Sequence, residues 1–155
     1  MSLETVTTFF EQLNLTDRIT EFDQSTATVA DAAATLGVRP DQIAKTLALK
    51  LKEGPIVIVV KGTAKIANPK FKAEFHQKAH MVPFDELEDL IGHPAGGVCP
   101  FGLKPGVGVY FDASLKDEDV VYPAAGIPDA VVKLTVDEME KYAQPLKWID
   151  IVKED

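Results

Sequence analysis

The stretch from residue 43 to residue 60 constrains the fold more than any other part of the chain. In "KTLALKLK", residues 45–52, leucines at every second position alternate with Thr, Ala and Lys. This period of two predicts a β-strand. After the turn "EGP", the run "IVIVV", residues 56–60, is apolar throughout and predicts a strand that is covered on both faces. Together the two runs predict a central hairpin.

Helical patterns flank this hairpin on both sides in the sequence. Residues 2–14 repeat apolar side chains at helical spacing, and residues 26–38 place Thr28 three positions before Asp31 and end at Gly37. Thr28 is suited to cap the helix, and Gly37 to end it in a left-handed conformation. Further helices are predicted over 68–75, with Asn68 as N-cap, over 84–92, and over 135–143, where Thr135 and Glu138 have capping-box spacing.

Shorter strand patterns complete the chain at "RITEFD", "VGVYFD", "AVVKL" and "WIDIV". The helices and strands are mixed without a regular βαβ alternation, and no linker or internal repeat is visible. The sequence therefore predicts one α/β domain over residues 1–155, with a central mixed, largely antiparallel sheet flanked by helices.

The charges are unevenly distributed along the chain. The net charge is −8, yet residues 43–80 contain eight lysines and only two glutamates. The overall charge argues against an indiscriminate nucleic-acid binder, because it repels a phosphate backbone. The basic segment is either a solvated surface or a face that meets a phosphate-bearing ligand.

Several classes of protein are disfavoured by what the sequence lacks. It has no run of about 18 apolar residues and no recognisable targeting or lipidation signal. It has one cysteine, and His76, His80 and His93 have no zinc-binding spacing. We expect a cytoplasmic protein without a metal, a cofactor or a membrane partner.

Two features are candidates for chemistry. Lys45 opens a core strand, so its ammonium group either reaches solvent or points into a cleft. The loop "AGGVCPFG", residues 95–102, contains Gly96 and Gly97, which allow positive φ angles and close approach to a ligand. With Pro100 stiffening the loop, the N–H groups of residues 97–99 could form a carbonyl clamp; a simple turn is the alternative.

Cys99, in the same loop, is a candidate nucleophile only if a base or a positive charge lies beside it. The nearest histidine is His93, and nothing in the sequence requires it to fold back onto Cys99. We therefore favour a small packed residue. Asp112 and Gly126 follow strand patterns, where they would either line a pocket or form a cap and a turn.

Four segments in this order resemble the YbaK family, the bacterial editing domains associated with prolyl-tRNA synthetase. They are "GVRPDQIAKTLAL" (37–49), "IVIVVKG" (56–62), "GGVCPFG" (96–102) and "VYFDASL" (109–115). The resemblance runs from about residue 25 to the C-terminus. It implies a small α/β fold with a mixed sheet and hydrolysis of the ester that links a wrong amino acid to a tRNA, without a metal.

The resemblance also implies site residues. Lys45 matches the functional lysine of the family, and Gly96 and Pro100 match the ends of its glycine-xxx-proline loop. Lys45 and Gly96 are therefore the expected catalytic residues. The expected substrate-binding residues are Ser25, Thr26, Thr46, Gly97, Val98, Cys99, Pro100, Asp112 and Gly126. Many relatives carry serine where this chain has Cys99, which weakens a thiolate mechanism.

The expected function is that of a free-standing deacylase that edits misacylated tRNA. The expected substrate is proline tRNA carrying a small wrong amino acid, with a water as nucleophile and with help from a ribose hydroxyl of the tRNA. The partners would be the acceptor end of the tRNA and an aminoacyl-tRNA synthetase. Two alternatives stay open: a non-catalytic module that binds tRNA, a synthetase or a nucleotide in the same cleft, and a thiol hydrolase centred on Cys99.

Overall fold

The computed structural model describes residues 2–26 and 28–154. Its helices and strands, in chain order, are α1 (Ser2–Glu11), β1 (Ile19–Glu21), α2 (Val29–Leu36), β2 (Ile43–Leu51), β3 (Gly54–Lys61), α3 (Asn68–Phe75), α4 (Leu87–Leu90), β4 (Gly108–Asp112), β5 (Val120–Pro123), β6 (Ala130–Val132), β7 (Leu134–Thr135), α5 (Val136–Ala143) and β8 (Lys147–Ile149). Within these residues, no helix combines the length and the apolar character needed to cross a membrane.

The central sheet has the strand order β7-β5-β2-β3-β4-β8, and β1 pairs separately with β6. The predicted hairpin is its longest ladder, with Ala44 opposite Lys61 and Leu51 opposite Gly54. The pairings β2–β5, β3–β4 and β4–β8 are parallel, whereas β5–β7 and β1–β6 are antiparallel like the hairpin. The mixed α/β architecture is confirmed. Across the described residues it contains as many parallel as antiparallel pairings, which is more parallel pairing than predicted.

The apolar strand β3 is covered on both faces, as its sequence predicts. Val57 and Val59 join a core cluster that also contains Phe10, Phe101 and Phe111. Ile56, Ile58 and Val60 join a second cluster, which includes Phe71 and Ile151. Because successive side chains of a strand point to opposite faces, β3 separates the two clusters.

The predicted helix ends are confirmed at α2 and α5. Thr28 Oγ1 accepts a hydrogen bond from the N–H of Asp31, and Gly37 adopts a φ angle of 70°. Thr135 and Glu138 form the reciprocal capping box. The prediction for α3 was wrong by one position, since Ala67 is its N-cap and Asn68 is already helical. The N–H of Ala67 donates to the carbonyl of Ile151, which fixes where the helix begins.

One strand escaped the sequence prediction. β5, with the sequence "VVYP", is four residues long, follows a charged segment and ends at a proline. Its pairing with β2 involves only two residues of each strand. Its position is therefore set by tertiary contacts, which a local pattern does not encode.

Asp112 ends β4 and connects three parts of the chain. Its side chain is fully buried. Oδ2 accepts a hydrogen bond from the N–H of Ser114, in the 3₁₀ helix that Asp112 caps, and Oδ1 accepts one from the N–H of Ile151, each at 2.8 Å. The carboxylate thus satisfies two main-chain donors that would otherwise lack a partner.

We predict that Asp112→Ala lowers the free energy of unfolding by about 2–4 kcal/mol, because it leaves the buried N–H of Ile151 and the partly buried N–H of Ser114 without an acceptor. Urea denaturation followed by circular dichroism measures the change. Asp117→Ala is the matched control, since the Asp117 carboxylate is exposed and forms an ion pair with Lys61 at 3.1 Å, a surface contact of little energetic weight. Equal stability of the two variants would contradict the structural role of Asp112.

Candidate active site

The candidate site lies along the outer edge of β2, by which we mean the edge that faces away from β3. The main-chain pairing along this edge is interrupted. One end of this edge pairs with β5. Near the other end, the N–H of Val82 donates to the carbonyl of Ala48 at 3.0 Å, and the N–H of Lys50 donates to the carbonyl of His80 at 2.8 Å. Because main-chain groups alternate between the two edges of a strand, those of Thr46 face the same edge as those of Ala48 and Lys50. A cleft opens between the two paired ends.

The cleft has a volume of about 270 Å³ and mainly apolar walls. Its lining consists of Thr26, Thr28, Val29, Ala32, Ile43, Ala44, Lys45, Thr46, Ala48, Met81, Val82, Phe84, Leu87, Ala95, Gly96, Val98, Tyr122, Ala124 and Val131. These described lining residues include a single lysine and no carboxylate, histidine or cysteine. An apolar cleft with a few polar groups is typical of a small-ligand site.

Lys45 lines the cleft and is half-buried, so it does not simply extend into solvent. Its Nζ donates a hydrogen bond to the carbonyl of Ala64 at 2.6 Å. Burial lowers the pKa of Lys45, and the charge of Lys65 lowers it further. Within the described residues Lys45 has no carboxylate partner. An ammonium group has three donors, so the bond to Ala64 positions Nζ and leaves two donors for an incoming oxygen.

Thr46 also lines the cleft, and its hydroxyl group is unusual. Oγ1 is buried and has no hydrogen-bond partner among the described residues, although the residue as a whole is only half-buried. A buried hydroxyl without a partner costs about 1–3 kcal/mol. Rotation about χ1 exchanges the positions of Oγ1 and the methyl group, so this hydroxyl can turn to meet a ligand.

The glycine-rich loop, residues 95–102, forms a wall of the cleft, but Gly96 and Gly97 differ in function. Gly96 lines the cleft with a φ angle of 83°. The N–H of Gly97 donates to the carbonyl of Pro94, and the carbonyl of Gly97 accepts from the N–H of Gly126, both at 3.0 Å. A Cβ atom on Gly97 would lie 2.4 Å from the carbonyl carbon of Gly126. The predicted close approach therefore occurs, but it is to another loop of the protein and not to a ligand.

The available N–H groups of the loop agree only in part with the predicted set, residues 97–99, which shares Val98 with them. The N–H of Gly97 is engaged within the loop, and Cys99 and Pro100 are buried behind it. Gly96 and Val98 do line the cleft. In the part of the chain that the structure describes, their N–H groups have no acceptor. These two donors are thus the ones that remain for a carbonyl clamp.

Cys99 is a small packed residue, as we expected, and it lies against His93, an approach that no local pattern indicates. The two residues are fully buried, with Cys99 Sγ 3.6 Å from His93 Nε2. Both donate to the carbonyl of Phe101, His93 from Nε2 at 2.6 Å and Cys99 from Sγ at 3.5 Å. Burial raises the pKa of the Cys99 thiol to about 12 and lowers the pKa of His93. The pair is a neutral packing unit outside the lining of the cleft.

Of the remaining predicted site residues, some line the cleft and others lie outside it. Thr26 lines the cleft and is anchored there, since its N–H donates to the carbonyl of Pro128 at 2.7 Å. Ser25 is exposed and does not contribute to the lining. Asp112 also lies outside the lining and has the capping function described above. Gly126 does not line the cleft; its N–H donates to the carbonyl of Gly97 in the glycine-rich loop.

Sequence reasoning missed part of the cleft wall. Tyr122 lies on the unpredicted strand β5, and Ala124 follows it. Met81 and Phe84 reach the cleft from the segment before α4, where no local pattern marks them as exposed apolar residues. Only the pairing of residues 80–82 with the outer edge of β2 brings them to the cleft.

Comparisons with known proteins relate this chain to a family. The chain is 41% identical over 155 residues to the uncharacterized protein YwhH of Bacillus subtilis, covering 99% of both chains. It is 31% identical over 90 residues to the proline–tRNA ligase of Kosmotoga olearia, which corresponds to 57% of this chain and 16% of the ligase.

The fold also matches a solved structure. A crystal structure assigned to a candidate trans-editing enzyme for prolyl tRNA synthetase superimposes with a TM-score of 0.87 at 24% identity, covering 99% of this chain and 98% of that one. The family model for the aminoacyl-tRNA editing domain matches residues 23–142, which contain the cleft and the glycine-rich loop. The chain belongs to the aminoacyl-tRNA editing domain family.

Proposed function

We propose that the chain is a deacylase that hydrolyses the ester of misacylated tRNA in trans. The proposed substrate is proline tRNA carrying a small wrong amino acid, because part of the chain is similar to proline–tRNA ligases. The cleft suits a small side chain, since its volume of about 270 Å³ must also admit the ester and the adjoining ribose.

One observation carries this proposal: Lys45, without a counter-ion among the described residues, lines the same small cleft as Gly96 and Val98, whose N–H groups have no acceptor in that part of the chain. All three are donors, and an ester carbonyl is an acceptor. Donors held in advance around a carbonyl stabilise the negative charge that develops on its oxygen during hydrolysis.

The reaction needs little further help from the protein. A water oxygen attacks the carbonyl carbon, the bond between this carbon and the ribose oxygen breaks, and the ribose oxygen takes up a proton. The amino acid and the free tRNA leave. Since no described lining residue is a carboxylate or histidine, the neighbouring ribose hydroxyl of the substrate is the group proposed to orient the water and relay its proton.

The proposal is tested by single-turnover deacylation of proline tRNA charged with alanine, serine, cysteine, threonine, 2-aminobutyrate or proline. At least one non-proline ester should be hydrolysed faster than it decays spontaneously, whereas the proline ester should persist. Tight binding of charged tRNA without release of any amino acid would instead favour the non-catalytic binding module.

We predict that Lys45→Met lowers kcat/KM about 100-fold on the ester that the wild-type protein hydrolyses best. Methionine keeps the length of the apolar stem but removes the charge and the donors, and loss of one such donor costs about 100-fold or more. Lys133→Met, at an exposed lysine outside the cleft lining, is the matched control. Normal turnover by Lys45→Met would exclude the proposed role.

We predict that Thr46→Val lowers kcat/KM about tenfold without lowering the free energy of unfolding. Valine has nearly the shape of threonine and removes a hydroxyl that has no partner in the described residues, so the fold loses no hydrogen bond. Deacylation kinetics and urea denaturation of the same sample measure the two effects. Full activity of this variant would show that the hydroxyl does not serve the substrate.

We predict that Cys99→Ser keeps kcat/KM within about twofold of the wild-type value. A thiol with a pKa of about 12 is neutral at physiological pH and is therefore a poor nucleophile. The native protein should also resist alkylation by iodoacetamide. A loss of activity that exceeds any loss of stability would instead favour the alternative of a thiol hydrolase centred on Cys99.

A further inference from the structure

A basic groove lies on the surface beside the candidate active site. It has a volume of about 510 Å³ and is lined by Lys50, Leu51, Lys52, Lys72, Gln77, Lys78 and His80. The four lysines and His80 are exposed. The groove thus gathers half of the eight lysines of the basic segment in one place, on a protein whose net charge is −8.

Most of this positive charge is not neutralised by neighbours. Lys50 Nζ pairs with Glu86 at 2.7 Å. Lys52, Lys72 and Lys78 have no ion-pair partner among residues 2–26 and 28–154. Glu53, the carboxylate next to Lys52 in sequence, accepts hydrogen bonds from Gln77. The groove therefore presents several unpaired cations to solvent, which favours a ligand with repeated negative charges.

The groove adjoins the cleft at residues 80–82. His80 lines the groove, and Met81 lines the cleft. This segment is held to the edge of β2 by the bridge between Leu49 and Met81 and by the hydrogen bond from Val82 to Ala48. From Lys50 to Thr46 the strand spans about 13 Å, a distance that a short single strand of nucleic acid covers.

Exposed apolar side chains line the cleft where this segment ends. Phe84 is 83% exposed and Met81 is 53% exposed, although both line the cleft. The remaining large apolar side chain with such exposure among the described residues is Leu146, at 70%, which does not line the cleft. An aromatic ring that stays in water beside a ligand site is suited to stack on a base.

We infer that this surface binds the single-stranded 3′ end of an RNA, with phosphates in the lysine groove and a base stacked on Phe84. A basic groove that follows the backbone and an aromatic platform for the bases are the two elements of single-strand recognition. The inference rests on the proposed function, because the stacked nucleotide at the cleft would be the one that carries the amino acid.

The stacking contact is tested with a fluorescent RNA minihelix that ends in a single-stranded 3′ overhang, and with the same minihelix made blunt. Fluorescence anisotropy gives the Kd of each. Phe84→Ala should weaken binding of the overhang probe about tenfold and leave the blunt probe unchanged, whereas Phe84→Trp should retain binding. Leu146→Ala is the matched control. Unchanged binding of the overhang probe by Phe84→Ala would overturn the inference.

The groove is tested through the salt dependence of the same Kd. The double variant Lys52→Gln/Lys78→Gln should reduce the slope of log Kd against log salt concentration by about 1.4, since each phosphate contact with a single strand contributes about 0.7. Lys133→Gln/Lys153→Gln, at exposed lysines outside the groove, is the control. Equal slopes for the two double variants would show that the groove is not part of the RNA-binding surface.

The binding assay separates this inference from the proposed function. If the wild-type protein hydrolyses no ester, but Phe84→Ala weakens its binding to the overhang probe, the RNA-binding inference holds and the deacylase proposal fails. If the Phe84→Ala variant binds RNA normally but no longer associates with purified prolyl-tRNA synthetase, Phe84 contacts a protein and the RNA-binding inference is wrong.

Discussion

The candidate site depends on one constraint, the interrupted main-chain pairing along the outer edge of β2. β5 pairs with one end of this edge, and residues 80–82 bond near the other, so the middle of the edge is left without a neighbouring strand. The same interruption sets the width of the cleft and brings Thr46 to its wall. It also fixes the position of residues 80–82, where the basic groove adjoins the cleft.

The second constraint is the contact between Gly97 and Gly126. With no room for a side chain on Gly97, the two loops meet main chain to main chain, and the glycine-rich loop is held against the segment that follows β5. This arrangement commits the N–H of Gly97 and leaves those of Gly96 and Val98 at the cleft. It also buries Cys99 and His93 behind the loop, so that Gly96 and Val98 line the cleft and the thiol does not.

Local patterns were sufficient to predict the elements with strong periodicity or clear end signals. The central hairpin, the cap at Thr28 and the capping box at Thr135 need only neighbouring residues, and the structure confirms them. β5 was missed because its position depends on a short pairing with β2. The approach of His93 to Cys99 gave no local signal for a similar reason: it requires the loop to fold back on itself. Phe84 gave no signal, because its exposure is a property of the tertiary structure.

The proposed mechanism requires that an aminoacyl ester binds in the cleft between Lys45 and the glycine-rich loop. A crystal structure of the protein with a non-hydrolysable amide analogue of aminoacyl-adenosine tests this requirement. We expect the analogue's carbonyl oxygen about 3 Å from the main-chain nitrogen of Gly96 or Val98 and within hydrogen-bond distance of Lys45 Nζ. An analogue bound outside this cleft, or with its carbonyl turned away from both groups, would exclude the mechanism.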